Sequence, residues 1–448
     1  MKHFSIIYIL IFTFSISFAQ INWKKYEHNP VLTHGTAGAW DSLYIQHSSV
    51  VFDGTRYQMY YTGRSVISNQ ACIGHAMSDD GISWEKDSAH NPVLEPGTSG
   101  EWDDEYVAIS SALYDGSVFH MWYTGGKETT SLYRIGYATS PDGFTWTKYN
   151  NASTTNPPYA ESDPVLTPSA AGRWDSHGVE APTVIQEGDS YTMWYNGYTN
   201  SFKAQIGRAT STNGINWIKD TANNPVLYPG SALTWEESFI RQGCVVFDQK
   251  NSAYLFFYYA GEFYKHFNIG YAWSSDGIVW TKYSKPVLPL GSTGSWDDAQ
   301  VMGPWVILDS DTLRMWYTGA DTTYPPASVI SGIGYATIPL ETLLVDGIDK
   351  YAEGNIPGRY SLSQNYPNPF NPRTNINYEL PITNYVDLSI YNLLGQKVVT
   401  LVDKKQTAGR HQVQWDASGF ASGVYIYKLR AMDQRQNVVL SKKLLLLK

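Results

Sequence analysis

Six residues beyond a recurring tryptophan, five successive units of this chain carry Gln46, Ala108, Glu180, Arg241 and Met302. A place that varies while its surroundings repeat is free of the scaffold, and it is where a repeat protein can hold chemistry. Glu180 stands in Gly178-Val179-Glu180-Ala181-Pro182, a carboxylic acid at the head of an apolar and small-residue run. Partial burial there would raise its pKa, which is what a general acid needs. The bland alternative is a glutamate hydrogen-bonded to a neighbouring unit. Near the same rim in sequence lie His47, Asp104, Glu105, His177, Gln242, Asp298 and Gln300, beside Gln46 and Arg241, which supply donors, acceptors and charge for a polar ligand. Glu237, Arg64, Lys127, Glu128, Glu262 and Asp321 extend the group, and a solvated polar rim accounts for any one of them equally.

The elements that must position these residues follow from a five-fold repeat. Pro-Val-Leu begins at Pro30, Pro92, Pro164, Pro225 and Pro286, giving periods of 62, 72, 61 and 61 residues. Ten residues after each proline comes a tryptophan followed by an acid: Asp41, Asp103, Asp175, Glu236 and Asp297. Each unit continues with an aromatic strand ending at Gly63, Gly125, Gly197, Gly261 or Gly319, then Ile-Gly-x-Ala from Ile73, Ile135, Ile206, Ile269 or Ile333. Four units close with a turn and Trp84, Trp146, Trp217 or Trp280. Asp-Gly or Asn-Gly in those turns supplies the positive φ of a tight hairpin, and the alternating runs around them read as antiparallel strands. Four strands per unit make a propeller blade, and five units make five blades.

The fifth unit has no closing tryptophan after Thr337, but Asn22-Trp23-Lys24-Lys25-Tyr26 matches the missing phrase. The N-terminus is therefore expected to supply the last outer strand and remove an exposed sheet edge. The same counting explains most of the 16 tryptophans as scaffold, leaving only Trp273, Trp305 and Trp415 outside the pattern. Acids present in all five blades are expected to be structural.

Charge and composition restrict the function. The 448 residues are 43% hydrophobic and 16% charged, enough to bury a large core. Up to residue 359 the chain holds 21 basic against 36 acidic residues, which gives phosphate backbones no general attraction; nucleic acid is not an expected partner. Cys72 and Cys244 are too few for a disulfide framework and read as apolar filler. Residues 1–19 have the basic start, apolar stretch and small-residue end of a secretory signal peptide, so the mature protein is expected outside the cytoplasm.

After Thr337 the pattern stops. Residues 339–359, with Pro339, Gly347, Gly354, Pro357 and Gly358, read as a linker. Residues 360–448 hold seven or so short alternating strands and a charge excess of opposite sign, 11 basic against 5 acidic, and suggest a small Ig-like β-sandwich without visible chemistry. The whole chain is thus read as all-β, a five-bladed β-propeller over residues 20–338 followed by a sandwich.

The phrase Ser-x-Asp-Gly-x-x-Trp, the Pro-Val-Leu lead-in, five blades and Glu180-Ala181-Pro182 in the third blade resemble the five-bladed glycoside hydrolases of families 43, 32, 62 and 130. The resemblance covers roughly residues 22 to 338. It implies a glycosidase acting on poly- or oligosaccharide, with the third-blade glutamate, Glu180, as general acid. Aspartates expected at the matching places of the first two blades are replaced by Gln46 and Ala108. Inverting hydrolysis needs a second carboxylate roughly 6.5 to 9.5 Å from the acid, for which Asp104, Glu105 and Asp298 are the candidates. Two alternatives stay open: a phosphorylase-like variant in which Arg241 and His47 hold an anion, and a propeller that only binds glycans. The fifth-blade histidine that family 43 places near a central ion is also absent, Met302 to Trp305 occupying that strand, so no metal or other cofactor is implied.

Tyr366-Pro367-Asn368-Pro369-Phe370-Asn371-Pro372, Ser422-Gly423-Val424-Tyr425 and Lys442-Lys443-Leu444 resemble the C-terminal sorting domain of type IX secretion cargo. That resemblance implies the type IX machinery as partner and release or attachment at the cell surface; the body itself is expected to act as a monomer.

Overall fold

The computed structural model describes residues 21–447, apart from 69, 200–202, 231–233, 262–265, 322–330, 348–359, 366–367, 382–383, 407–408 and 434–435. The segment expected to be a signal peptide, and Glu262, therefore lie outside the described residues. The chain divides into two compact units, Met1–Asp346 and Gly347–Lys448.

The first unit is the five-bladed propeller. Its inner strands are Tyr44–Phe52, Tyr106–Tyr114, Gly178–Glu187, Phe239–Asp248 and Gln300–Asp309. Each pairs antiparallel with a second strand, which pairs with a third, which carries a two-residue outer strand. In the fifth blade that outer strand is Lys24–Lys25, with Lys24 opposite Thr337 and Lys25 opposite Ala336. The N-terminus thus closes the ring. Each Pro-Val-Leu leucine bridges back to the Ile-Gly-x-Ala isoleucine of the preceding blade, as in Ile73 with Leu94 and Ile135 with Leu166.

Packing explains the repeated phrases. The Trp40 ring lies against Gly63 and Gly74, where a Cβ would come within 2.4 and 2.5 Å of ring atoms, so only glycine admits the tryptophan. The acid after each tryptophan receives one lysine from the outer strand and one tyrosine from the second. Asp103 bonds Lys148 at 2.7 Å and Tyr123 at 3.2 Å; Asp175 bonds Lys219 at 2.6 Å and Tyr195 at 3.3 Å. Asp297 repeats this with Tyr317 and with Lys25 of the N-terminal strand, at 3.0 and 2.6 Å. These carboxylates are structural, because each is buried and committed to the same blade-fastening pair.

Two rings of side chains tie the inner strands together. Ser49 accepts the Ala112 amide at 2.9 Å, Ser111 that of Val184 at 3.0 Å, and Thr183 that of Val245 at 3.1 Å. Nearer the strand starts, Thr62 accepts the Ile109 amide at 3.0 Å, Thr124 that of Ala181 at 2.8 Å, Asn196 that of Gln242 at 2.6 Å, and Thr318 that of His47 at 2.8 Å.

The region read as a linker starts differently: Leu340–Gly347 is a helix. Leu340 and Leu343 are buried in the propeller's main core, and the Leu340 amide donates to the Asp311 carbonyl at 2.8 Å. Apolar residues at this spacing can cover a blade, which punctuation by Pro339 and Gly347 did not reveal. The second unit contains a three-stranded sheet, with Arg373–Leu380 at its centre, and a four-stranded sheet built on Asn384–Tyr391 and Gly423–Asp433. Its own core gathers Phe370, Ile376, Leu388, Trp415 and Tyr427.

Candidate active site

All five inner strands are irregular at the same place. The antiparallel register slips after Gln46, Ala108, Glu180, Arg241 and Met302. The next residues, His47, Ile109, Ala181, Gln242 and Gly303, take φ values of 54°, 45°, 53°, 24° and 54°. Left-handed backbone at a non-glycine residue is costly and persists where the surroundings enforce it. Here the enforcing contacts are the amide latches from Thr62, Thr124, Asn196 and Thr318 to the preceding blade's neighbour. A bulge re-aims side chains at the start of a strand, and it does so at a place where the repeat varies.

In the third blade this builds a buried acid. Glu180 is 7% exposed, and burial pushes its carboxyl above the ordinary value while the Arg241 guanidinium pulls partly back. Arg241 Nε lies 3.8 Å from Glu180 Oε1, close enough to interact and too far to be a hydrogen bond. The guanidinium also lies over the Phe239 ring, at 5.7 Å.

His47 comes from the first blade and stacks on Tyr259, with ring centroids 6.1 Å apart. Burial, then repulsion from Arg241, brings its pKa down to about 3, with Gln242 opposing. His47 is therefore a neutral hydrogen-bonding group at any physiological pH. Arg241 Nε, His47 Nδ1 and Gln242 Oε1 are buried without a hydrogen-bond partner among the described residues. Buried polar atoms are normally satisfied; His47 also interacts with the Gln242 side chain and Arg241 with Tyr259, so these atoms form one polar cluster that Arg241 joins to Glu180.

Tyr259 was not foreseen. Matching each second strand on its terminal glycine puts Gly261 beside Gly63 of the first blade. The registers instead place Tyr259 opposite Arg241 as Thr62 is opposite Gln46, so the fourth blade is shifted by one residue. A Thr or Asn in four blades is thereby a tyrosine in the fourth, beside Arg241 and His47. The Ile-Gly-x-Ala phrase gives the signal, since Tyr259 pairs with Ile269 as Thr62 pairs with Ile73.

The remaining expected residues are placed as follows. Gln46 is half-buried, opposite Thr62. Gln300 is buried at the head of the fifth inner strand. His177 packs its ring on Tyr198 at 6.0 Å and donates its amide to the Tyr198 carbonyl. Asp104 accepts from Lys127 Nζ and the Gly100 amide, both at 2.8 Å. Burial would raise its pKa, but those two donors hold it below the ordinary carboxylate range. Glu105 accepts from the Thr129 hydroxyl and amide, and Asp298 accepts the Gly294 amide at 2.6 Å. Arg64 and Glu128 form a 2.7 Å ion pair between the first two blades. Among the described residues no three His, Cys, Asp or Glu side chains gather as a metal site would require. An apolar cavity of about 590 Å³ opens at the other end of the inner strands, among Phe52, Leu308 and Leu340, and Glu180 does not line it.

The first unit has the five-bladed propeller fold that is also found among glycoside hydrolases and phosphorylases. Residues 364–445 match the model of the secretion system C-terminal sorting domain. An uncharacterised protein of Mycobacterium tuberculosis is 27% identical over 278 residues, 60% of this chain and 85% of that protein. Among solved structures, an N-acetylgalactosamine deacetylase from F. plautii, in complex with blood group B trisaccharide, superposes with a TM-score of 0.52 at 19% identity, over 72% of this chain and 97% of its own. A β-1,2-mannobiose phosphorylase from Listeria innocua superposes with a TM-score of 0.54 at 13% identity, over 72% and 99%. At these identities the likeness shows the fold. The C-terminal unit is a sorting domain, which indicates type IX secretion and a secreted or cell-surface location.

Proposed function

We propose that the propeller cleaves a glycosidic bond of a poly- or oligosaccharide where its inner strands begin, with Glu180 as general acid. One observation carries this reading: Glu180 is the sole carboxylate at the five variable strand-head positions, and it is buried with its pKa raised. A protonated carboxyl gives its proton to the leaving oxygen as the bond to the anomeric carbon breaks, and the nucleophile closes on that carbon from the opposite face. His47, Gln242 and Arg241 offer the open hydrogen-bonding valences that would orient sugar hydroxyls, and Gln46 and Gln300, at the heads of the first and fifth inner strands, with His177 just before the third, are further candidates.

A second reading concerns the nucleophile. Activation of water calls for a base, and Gln46, Ala108, Arg241 and Met302 provide none. Asp104, Glu105 or Asp298 would each first have to leave its loop partners. Phosphate brings its own nucleophilic oxygen and needs no base, and the Arg241 guanidinium beside Glu180 supplies the charge to hold it. Arg241 therefore favours phosphorolysis over hydrolysis.

Sugar release from a panel of plant and microbial polysaccharides, with and without phosphate, tests both readings on wild type and Glu180→Gln. Loss of release in the variant supports cleavage with Glu180 as acid, and phosphate dependence selects phosphorolysis. Glycan binding without release by the wild type would make the protein a binding propeller.

A further inference from the structure

The repeat departs from its own pattern at a second place. The second unit runs 72 residues against 61 or 62 elsewhere, and the extra chain falls between Tyr149 and Pro164. Asp163 folds it back, accepting the Asn151 amide at 2.7 Å and the Thr154 hydroxyl at 2.6 Å. Beside it, in the third blade, the variable residue of Ile-Gly-x-Ala is Arg208, where the other blades have His75, Tyr137, Tyr271 and Tyr335. Those four rings pack on Tyr60, Trp122, Phe257 and Trp316 with centroids 5.2 to 5.5 Å apart. Arg208 instead approaches Asp220 at 3.6 Å, and its Nε is buried with no hydrogen-bond partner among the described residues.

Both departures line one groove of about 730 Å³, whose walls include Asn151, Asp163, Arg208, Thr210, Asn216 and Trp217. That volume lies within the usual range of small-molecule sites. Its chemistry is an aromatic edge among amide, hydroxyl and guanidinium groups, which suits a ring with apolar C–H faces and a hydroxyl rim. Asp163 in the wall and Asp220 beside Arg208 offset the cation, so the groove has no net preference for an anion.

We propose that this groove is a second carbohydrate site, which holds a neutral oligosaccharide segment and takes no part in bond cleavage. It shares no wall with Glu180 and does not depend on the role given to that residue. Calorimetric titration of the full chain carrying Glu180→Gln tests it, with mannohexaose, xylohexaose, cellohexaose and hexagalacturonate as probes. At least one neutral hexasaccharide should bind, and Arg208→Leu and Thr212→Arg should each weaken it by about tenfold or more. Thr212 is exposed on the groove wall, so its variant folds even if loss of Arg208 disturbs the blade. Arg241→Met, at the strand heads, separates the two sites: binding that survives it and is lost with Thr212→Arg belongs to the groove. The proposal is overturned if no neutral probe binds, if all of the binding survives Thr212→Arg, if Arg241→Met alone abolishes it, or if hexagalacturonate is the only ligand of the groove.

Discussion

Closure of the ring by the N-terminal strand rests mainly on Trp23, and truncating that side chain measures it. Trp23 is 4% exposed, meets Phe257 edge-on with centroids 5.6 Å apart, and belongs to the main core together with the fully buried Ile21. Large-to-small replacement of a buried tryptophan costs about 3–5 kcal/mol, from lost transfer energy and from the cavity left behind. For the propeller of roughly 320 residues, at about 2.1 cal/mol/K per residue, each kcal/mol moves the melting temperature by roughly 1.5 °C, so Trp23→Ala should melt on the order of 4–7 °C below wild type. Lys25→Ala adds a second test, because it leaves Asp297 with the Tyr317 and Ser295 hydroxyls and no cation, and should cost about 1–3 kcal/mol. Ile218 occupies the outer strand of the third blade at 74% exposure, and Ile218→Ala should stay within about 0.5 kcal/mol. Differential scanning calorimetry of the three variants at one scan rate decides the matter. If Trp23→Ala melts with wild type, the N-terminal strand does not close the ring.

Further predictions concern the strand-head site. A general acid must be protonated, so the cleavage rate should fall as pH rises through the raised pKa of Glu180; Arg241→Gln removes the group that lowers this pKa and should move the fall to higher pH. In stability the sign is set by the same shift: a carboxyl whose folded pKa is raised destabilises the fold once ionised. Glu180→Gln should therefore be more stable than wild type at neutral pH, with the difference vanishing as pH drops below the ordinary glutamate value, as seen by urea titration at each pH. His47 with a pKa near 3 has no titration to contribute between pH 5 and 8, so His47→Asn should lower the rate without changing the shape of the profile in that range.

Much of the architecture is written in the sequence because five copies state it five times. The strand order, the committed Trp-acid carboxylates and the N-terminal closure follow from phrases at fixed spacing, and the contacts of Asp103, Asp175 and Asp297 with lysine and tyrosine give the reason those phrases recur. Glu180 is visible for the opposite reason, as the carboxylate in a place that does not repeat. What the sequence conceals is geometry that depends on register. The left-handed bulge at His47 and Gln242 has no residue signature, because the Thr318 and Asn196 latches that enforce it come from the neighbouring blade. Tyr259 is hidden by one residue of slippage in the fourth blade. Asp104, Glu105 and Asp298 read as free rim carboxylates until the loops show Lys127, Thr129 and the Gly294 amide bound to them. The groove at Arg208 was likewise unread, since it needs an insertion and a substitution from two different blades to meet.

Whether Glu180 protonates the leaving group is decided by the leaving-group dependence of the Glu180→Gln variant. Aryl glycosides whose phenols are good leaving groups need little proton donation, whereas natural saccharides need it fully. Glu180→Gln should lose about 10²–10⁴-fold on unactivated substrates and far less on a dinitrophenyl glycoside of the same sugar. An equal loss on both, or no loss on either, would contradict it.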